Sequence, residues 1–178
     1  MRFFQSAAVT RLHTILALTL ALAAFTEPAQ ADQYIGSDSG LRHEDILHLI
    51  SESEGSNIIV KCSGFSHQSC REYGLAGAKI IIASTGYSSL DIIQILQTVD
   101  LERVTVVSTG YDGFSLRSYA GLGAYLQIRV NGEVGAFEMK AAVRAAPVPS
   151  RVSVYVRSAS ITSQDVRELR QLGATVIL

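Results

Sequence analysis

Tryptophan is absent from the 178 residues, proline and cysteine are scarce, and neither sign of charge dominates. The chain has three Pro and two Cys, with 15 basic against 16 acidic residues. The scarcity of Pro and the lack of low-complexity tracts exclude a Pro-rich linker. The balanced charge argues against nucleic-acid binding, which needs a strongly basic face. The composition indicates a small, well-ordered aliphatic protein.

Sequence signatures of cofactor sites and catalysis are also missing. The chain contains neither a G-x-G-x-x-G nor a G-x-x-x-x-G-K-S/T phosphate loop, and it has no G-x-S-x-G nucleophile elbow. His43 and His48 are five residues apart, which turns one about 140° from the other on a helix, whereas a zinc-protease helix needs histidines four apart. We therefore expect no cofactor and no metal, two solvated histidines, and a protein that is not an enzyme.

The N-terminus has the three parts of a secretory signal peptide in the required order. Arg2 and Arg11 give a basic start, residues 14–25 (TILALTLALAAF) are uncharged and apolar, and Ala29-Gln30-Ala31 is an A-x-A cleavage site. The apolar run is too short to cross a bilayer, which takes about 20 residues. We predict a signal peptide over residues 1–31 and a mature chain, periplasmic or secreted, without a membrane span.

The mature chain, residues 32–178, has the length of a single domain. Removal of the signal peptide takes away Arg2, Arg11 and Glu27, which leaves 13 basic and 15 acidic residues. The net charge therefore stays close to zero, and we expect no nucleic-acid partner.

Internal repetition is the strongest pattern in the mature chain. Residues 58–66, 80–88, 104–112 and 154–162 superpose without gaps on apolar-x-apolar-x-x-[S/T/A]-[G/S]-[aromatic or Ile]-[S/T/D], residues 126–132 are a weaker copy, and residues 39–42 keep only its second half. The small polar position falls at 39, 63, 85, 109, 131 and 159, at spacings of 24, 22, 24, 22 and 28. This regularity predicts a repeat protein.

Each copy predicts a strand, a turn and a helix. The opening β-branched run favours a strand, and apolar residues three or four apart follow the turn. Ser88 with Asp91, and Thr162 with Asp165, have the spacing of capping boxes and predict helix starts.

The unit resembles the short bacterial leucine-rich repeat of about 22 to 24 residues. Residues 154–172 (VYVRSASITSQDVRELRQL) match its form best, and the resemblance extends from about Tyr34 to the end. Ile and Val largely replace Leu here, and only Asn131 supplies the ladder asparagine. The resemblance implies a parallel βα solenoid.

In such a solenoid, alternate strand residues point inward. We predict that Ile58, Val60, Ile80, Ile82, Val104, Val106, Leu126, Ile128, Val154 and Val156 form the core, with Phe65, Tyr87, Tyr111 and Ile161 stacked beneath the turns. The alternative is an open doubly wound α/β sheet, which has the same element string and binds ligands at the carboxyl ends of its strands.

Cys62 and Cys70 are the two cysteines of the chain. In an exported protein such a pair favours a disulfide, with free buried thiols as the alternative. His67 lies between them in a C-x4-H-x2-C arrangement, but no fourth ligand for a closed zinc site is evident.

The strand residues between the inward ones form the predicted binding surface. It combines an apolar centre with a basic and aromatic rim, which suits a protein or peptide partner. The candidate site residues on this face are Lys61, Ile81, Val107, Arg129, Tyr155 and Arg157. We therefore expect an exported, non-enzymatic binding or scaffold module.

Two further expectations concern the strand ends. Residues 175–178 resemble the first strand of another copy without a polar cap, which predicts self-association or a partner at that edge. If the sheet is doubly wound, the chain is instead an enzyme or small-ligand binder, with its site at Thr85-Gly86-Tyr87 and Thr109-Gly110-Tyr111-Asp112.

Overall fold

The computed structural model describes residues 31–53, 57–109, 113–129, 134–156 and 161–178. Asp32–Leu178 forms one compact unit. The predicted signal peptide lies outside the described residues, apart from Ala31, as do Tyr111 and Arg157. None of the helices within the described ranges combines the length and apolar character needed to cross a membrane.

The fold is α/β, with strands and helices alternating along the chain. The strands are β1 (Gln33–Ile35), β2 (Ile58–Lys61), β3 (Lys79–Ala83), β4 (Val104–Ser108), β5 (Tyr125–Arg129), β6 (Val152–Tyr155) and β7 (Thr175–Ile177). The helices are α1 (His43–Glu52), α2 (His67–Leu75), α3 (Ser89–Leu96), α4 (Gly113–Leu122), α5 (Ala136–Ala145) and α6 (Ser163–Gln171).

All seven strands form one parallel sheet in the order of the sequence, β1 to β7. Each strand therefore pairs with its predecessor through a crossover that contains one helix. Every helix also contacts the next helix along the chain. The helices consequently lie side by side on one face of the sheet.

Aliphatic rows beneath the helices build the core. The strand register places Ile35, Val60, Ile80 and Val104 in one row, and each of these side chains is buried. A second row, given by the same register, contains Ile82, Val106, Leu126 and Val152. Burying a side chain of this kind contributes about 1.5–3 kcal/mol. The predicted inward residues are confirmed, with Val156 only partly buried against the core.

Both predicted capping boxes are present. The hydroxyl of Ser88 accepts a hydrogen bond from Asp91 N and the carboxylate of Asp91 accepts one from Ser88 N, while Thr162 and Asp165 do the same. These reciprocal bonds satisfy amide groups that a helix start otherwise leaves unpaired. They fix the starts of α3 and α6.

Longer and shorter connections between strands alternate along the chain. Strand starts at residues 33, 58, 79, 104, 125, 152 and 175 are separated by 25, 21, 25, 21, 27 and 23 residues. The shorter connections end in Gly77, Gly123 and Gly173, each with φ near +100°, which glycine adopts without strain. The longer returns from α3 and α5 contain a 3-10 turn that ends in an arginine, Arg103 or Arg151.

These arginines tie neighbouring connections together. Arg103 donates to the carbonyl of Gly77, and Arg151 Nη1 donates to the carbonyl of Gly123 at 2.9 Å. Gly77 follows α2 and Gly123 follows α4, so each arginine pairs with a carbonyl in the connection before its own. The alternation between 22 and 24 in the sequence spacing thus reflects two kinds of return.

The first strand is the element that the sequence pattern misses. Residues 39–42 carried only the second half of the pattern, yet β1 precedes them and pairs with β2. β1 has only three residues, of which Ile35 alone is buried. A strand of three residues is too short to show the alternation of apolar and polar residues from which a strand is predicted.

Lys140 links α5 to α6. Its Nζ lies 2.7 Å from Asp165 Oδ1 and also donates to Glu168. The Lys140 ammonium, followed by the Thr162 hydroxyl and amide, lowers the pKa of Asp165 to about 2. The same ammonium is the main cause that lowers the pKa of Glu168.

The Lys140 cluster should make folding stability sensitive to acid. The pKa of Asp165 is lower in the folded state than its unfolded value of about 3.9, so the stabilisation is complete above about pH 4 and is lost as the pH falls towards 2. We expect Lys140→Met to flatten this loss, measured as the free energy of urea unfolding against pH. Arg144→Met, on the same helix but exposed, is the control and should keep the wild-type slope. A Lys140→Met slope equal to wild type would contradict this role.

Candidate functional site

Within the described residues, no element covers the side of the sheet opposite the helices, and we call this side the sheet face. Alternate strand residues point to it and are exposed or half-buried, except Ile59, which is 7% exposed. The sheet face consists of Tyr34, Ile59, Lys61, Lys79, Ile81, Ala83, Thr105, Val107, Tyr125, Gln127, Arg129, Ser153, Tyr155, Thr175 and Ile177.

Cation–aromatic pairs are a recurrent feature of this face. Lys61 Nζ lies 5.2 Å from the ring centre of Tyr34, and the Arg129 guanidinium lies 5.4 Å from that of Tyr155. Each cation is the last residue of its strand and contacts an aromatic ring on the neighbouring strand. Such contacts are worth about 0.5–1 kcal/mol at exposed sites. They hold both side chains over the sheet.

The positive charge of the sheet face is only partly neutralised. Lys79 Nζ is 3.5 Å from Asp32, and Arg151, which lies 5.0 Å over the Tyr125 ring, pairs with Glu102. These ion pairs lie towards the amino-terminal ends of the strands. Lys61 and Arg129 are at the carboxyl ends, and no Asp or Glu is among the strand residues that point to this face.

A shallow groove of about 210 Å³ opens on the sheet face near the starts of β3 and β4. Its floor is apolar, and charged groups surround it. It is lined by Ile59, Lys79, Ile80, Ile81, Glu102, Arg103, Thr105 and Tyr125. A groove of this size accommodates a side chain rather than a whole drug-sized ligand, whose sites are about 300–1,000 Å³.

The structure places five predicted site residues, Lys61, Ile81, Val107, Arg129 and Tyr155, on the sheet face. Lys61 is beside Ile81, and Arg129 is beside Tyr155. Val107 lies in the row between these pairs, next to Ala83. The sixth, Arg157, lies outside the described residues.

Sequence reasoning missed several side chains around this surface. Lys79 and Tyr125 begin their strands one residue before the predicted runs, so they fell outside the repeat pattern. Extending the alternation by one residue would have found both. Tyr34 lies on the undetected β1, and Arg151 lies in a 3-10 turn where strand alternation does not apply.

The alternative site at the strand-end turns is described only in part, because residues 110–112 lie outside the described ranges. Ser84 Oγ accepts a hydrogen bond from Thr109 N at 3.0 Å and lies 3.3 Å from Thr109 Oγ1. These bonds join the turn after β3 to the end of β4. Polar side chains in this position support backbone geometry.

Cys62 and Cys70 are both fully buried and are free thiols in this structure. The hydrogen bond from the Cys62 thiol lowers the pKa of Cys70, and the Tyr87 hydroxyl, 3.2 Å from Cys70 Sγ, adds to this effect against the opposing influence of burial. The same thiol–thiol contact, together with burial, raises the pKa of Cys62. The disulfide between these neighbouring thiols stays a prediction.

Tyr87 is the polar centre of this cluster. Its hydroxyl reaches the carbonyl oxygens of Cys62 and of Phe65, the latter at 2.7 Å. The ring of Tyr87 packs against the core, as do Phe65 and Ile161. Of the four side chains predicted to stack beneath the turns as core, these three are partly buried against the core, and Tyr111 lies outside the described residues.

The histidines differ from one another in their surroundings. His48 is exposed, as predicted, whereas His43 is half-buried, with Nδ1 3.0 Å from the Tyr73 hydroxyl and Nε2 2.8 Å from Glu72. Its predicted solvation is therefore wrong, because α2 packs against this side of α1. Within the described ranges, no three His, Cys, Asp or Glu side chains group closely enough to hold a metal ion.

Comparison with known proteins leaves the chain without an assigned family. No protein-family model matches it, and no curated protein matches it. The leucine-rich-repeat resemblance therefore stays a prediction.

Removing the Tyr87 hydroxyl should destabilise the fold. Tyr87→Phe leaves the carbonyl groups of Cys62 and Phe65 without this donor, and we expect a loss of about 1–3 kcal/mol in the free energy of unfolding. The measurement is urea denaturation at neutral pH. Tyr155→Phe, on the sheet face, is the matched control and should stay within about 0.5 kcal/mol of wild type. Equal stability of the two variants would show that the Tyr87 hydrogen bonds are unimportant.

Proposed function

We propose that the chain is an exported, non-enzymatic binding module whose sheet face holds an extended polypeptide rich in carboxylates. The composition of this face carries the proposal. It combines half-exposed apolar side chains with Lys61, Lys79 and Arg129, and no carboxylate points to it from the strands. A polypeptide with acidic side chains is complementary to this charge distribution.

The proposed architecture is a leucine-rich-repeat-like solenoid. A doubly wound sheet reverses its strand order at a switch point, whereas the strands here follow one another from β1 to β7. Side-by-side helices and one uncovered sheet face also support a solenoid, because solenoids use extended surfaces of this kind for binding.

A polypeptide fits the sheet face better than a small substrate does. The groove of about 210 Å³ offers room for one apolar side chain, with Lys79 and Arg103 at its border. Rows of half-exposed residues continue from it across several strands, for example from Ile81 to Thr105 and Tyr125. A segment lying along such a row would place its side chains over successive strands.

The enzyme alternative receives less support. Its site requires the strand-end turns to converge in a cleft, but adjacent strands place such turns in a line along one edge of the sheet. The described part of that edge uses Ser84 and Thr109 in hydrogen bonds between turns. This arrangement favours a structural role for those hydroxyl groups.

Photo-cross-linking tests the proposed surface. A benzoylphenylalanine residue at Val107 should cross-link the partner in envelope extract, whereas the same residue at Gln97, exposed after α3, should not. Adding Arg129→Glu with Tyr155→Ala should reduce the cross-linked product at least tenfold, because the double change reverses one charge and removes one aromatic ring. Mass spectrometry then identifies the partner and its acidic segment.

The matched control is Arg71→Glu, which reverses an exposed charge on α2 away from the sheet face. It should leave the product at Val107 unchanged. Cross-linking that is equal from Val107 and Gln97, or unaffected by the double variant, would refute binding at the sheet face.

The outer edge of β7 is a second proposed contact, between two copies of the chain. β7 pairs with β6 alone among the described strands, and Ile177 and Leu178 are 38% and 80% exposed. An exposed apolar edge strand is a template for pairing with another chain. We propose that two β7 strands associate.

Charging this edge should prevent that association. Ile177→Lys with Leu178→Lys leaves the inward Val176 in place, so the sheet should stay intact while the edges repel one another. We expect a dimer of the Asp32–Leu178 chain to become a monomer in light scattering. Leu75→Lys, a matched change on α2, should leave the mass unchanged. A monomeric wild-type chain would end this proposal.

A further inference from the structure

Large apolar side chains project from the helix layer at equivalent positions. Leu90, Phe114 and Phe137 are each the second residue of their helix, in the neighbouring helices α3, α4 and α5, and are 63%, 69% and 73% exposed. Leu75, at the end of α2, is 58% exposed.

The helix period explains why these side chains point away from the sheet. The fourth residues of α3, α4 and α5, which are Ile92, Leu116 and Met139, are fully buried against the sheet. A residue two positions earlier is turned about 200° from them. Leu90, Phe114 and Phe137 therefore line the outer side of the layer, and we call the outer side of α2–α6 the helix face.

Exposed charges on the helix face are of one sign. Arginines are the exposed ionisable side chains on this side of α2, α4, α5 and α6, with His67 at the start of α2 as the exception. They are Arg71, Arg117, Arg144, Arg167 and Arg170. The acidic residues of α2, α3, α5 and α6 are all half-buried.

Four of those acidic residues contact a lysine or a histidine of the same chain. Glu72 pairs with His43, Asp91 lies 3.6 Å from His67, and Asp165 and Glu168 share Lys140. The arginines are the most exposed charged side chains of these helices. The basic surface begins at α2, because α1 exposes Glu44 and Glu52.

Exposed arginines interspersed with protruding Phe and Leu side chains are typical of surfaces that bind anionic membranes. The guanidinium groups bind lipid phosphates, while the apolar side chains enter the boundary between headgroups and acyl chains. A soluble polyanion would use the arginines but would gain nothing from exposed Leu90 and Leu75. The equivalent placement of Leu90, Phe114 and Phe137 on adjacent helices also lets them meet one flat surface together.

We propose that the helix face binds the surface of a membrane rich in anionic phospholipid. The chain lies on this membrane without crossing it. The sheet face, on the opposite side of the molecule, then points towards the aqueous compartment and stays accessible to a polypeptide partner. This proposal does not depend on the function of the sheet face.

The absence of Trp from the sequence provides a direct test with the Asp32–Leu178 chain, which forms one compact unit. Phe114→Trp introduces a single fluorophore on the helix face, and Tyr155→Trp introduces one on the sheet face. Vesicles are prepared from phosphatidylglycerol mixed with dibrominated phosphatidylcholine. We expect a blue shift and bromine quenching for Phe114→Trp, and neither effect for Tyr155→Trp.

Vesicle flotation measures which side chains contribute. Binding to vesicles with phosphatidylglycerol should exceed binding to pure phosphatidylcholine at least tenfold and should weaken with salt. Phe114→Ser with Phe137→Ser, and separately Arg117→Gln with Arg144→Gln, should each reduce it about tenfold or more. Arg129→Glu with Tyr155→Ala should leave it unchanged, which separates this proposal from that for the sheet face.

Three results would overturn the proposal. The first is no binding to either kind of vesicle by the folded wild-type chain. The second is quenching of Tyr155→Trp in place of Phe114→Trp. The third is binding to heparin together with vesicle binding that Phe114→Ser with Phe137→Ser does not weaken, which would indicate a site for soluble polyanions. Because the substituted side chains are exposed, circular dichroism should show wild-type folding for each variant.

Discussion

Parallel pairing of each strand with the strand before it is the constraint on which this structure depends. It places every crossover helix on the same side of the sheet and aligns inward side chains in rows such as Ile82, Val106, Leu126 and Val152. One side of each strand is therefore buried and the other stays open. The same constraint creates the molecule's two broad surfaces, the sheet face and the helix face.

The returns from helix to strand adapt to this constraint in two ways. Glycines with positive φ allow the short returns, and 3-10 turns form the long returns from α3 and α5. Arg103 and Arg151 connect a long return to the preceding short one by donating to the carbonyls of Gly77 and Gly123. Each short return thus receives a hydrogen-bond donor for its backbone carbonyl from the neighbouring connection. This is expected in a repeat fold, because a single βα unit can neither pair all of its backbone polar groups nor bury its apolar side chains alone.

The near-neutral net charge of the chain conceals an uneven distribution. Asp91 and Asp165 are used as helix caps, where carboxylates are favoured by the positive end of the helix dipole. Glu102 and Glu168 pair with Arg151 and Lys140 of the same chain, and Glu72 contacts His43. Arginines on the helix face are left exposed, so a balanced composition coexists with a basic surface.

The repeated β-branched runs and capping boxes were enough to predict most strands, the inward residues and the starts of α3 and α6. They were sufficient because alternation and capping act over a few residues. β1 escaped prediction because three residues carry almost no period, and Tyr125 because it precedes the apolar run. His43 was placed wrongly in solvent because its partners, Tyr73 and Glu72, are thirty and twenty-nine residues away.

The sequence by itself determined which elements form and which side of each strand is buried, because both follow from local periodicity. Only the tertiary structure decided the order of the strands, the contact between Cys62, Cys70 and Tyr87, and the cation–aromatic pairs of the sheet face. It also decided which charges are neutralised inside the molecule and which remain at the surface. These features join residues that are distant in the chain, and strand pairing and helix packing alone bring them together.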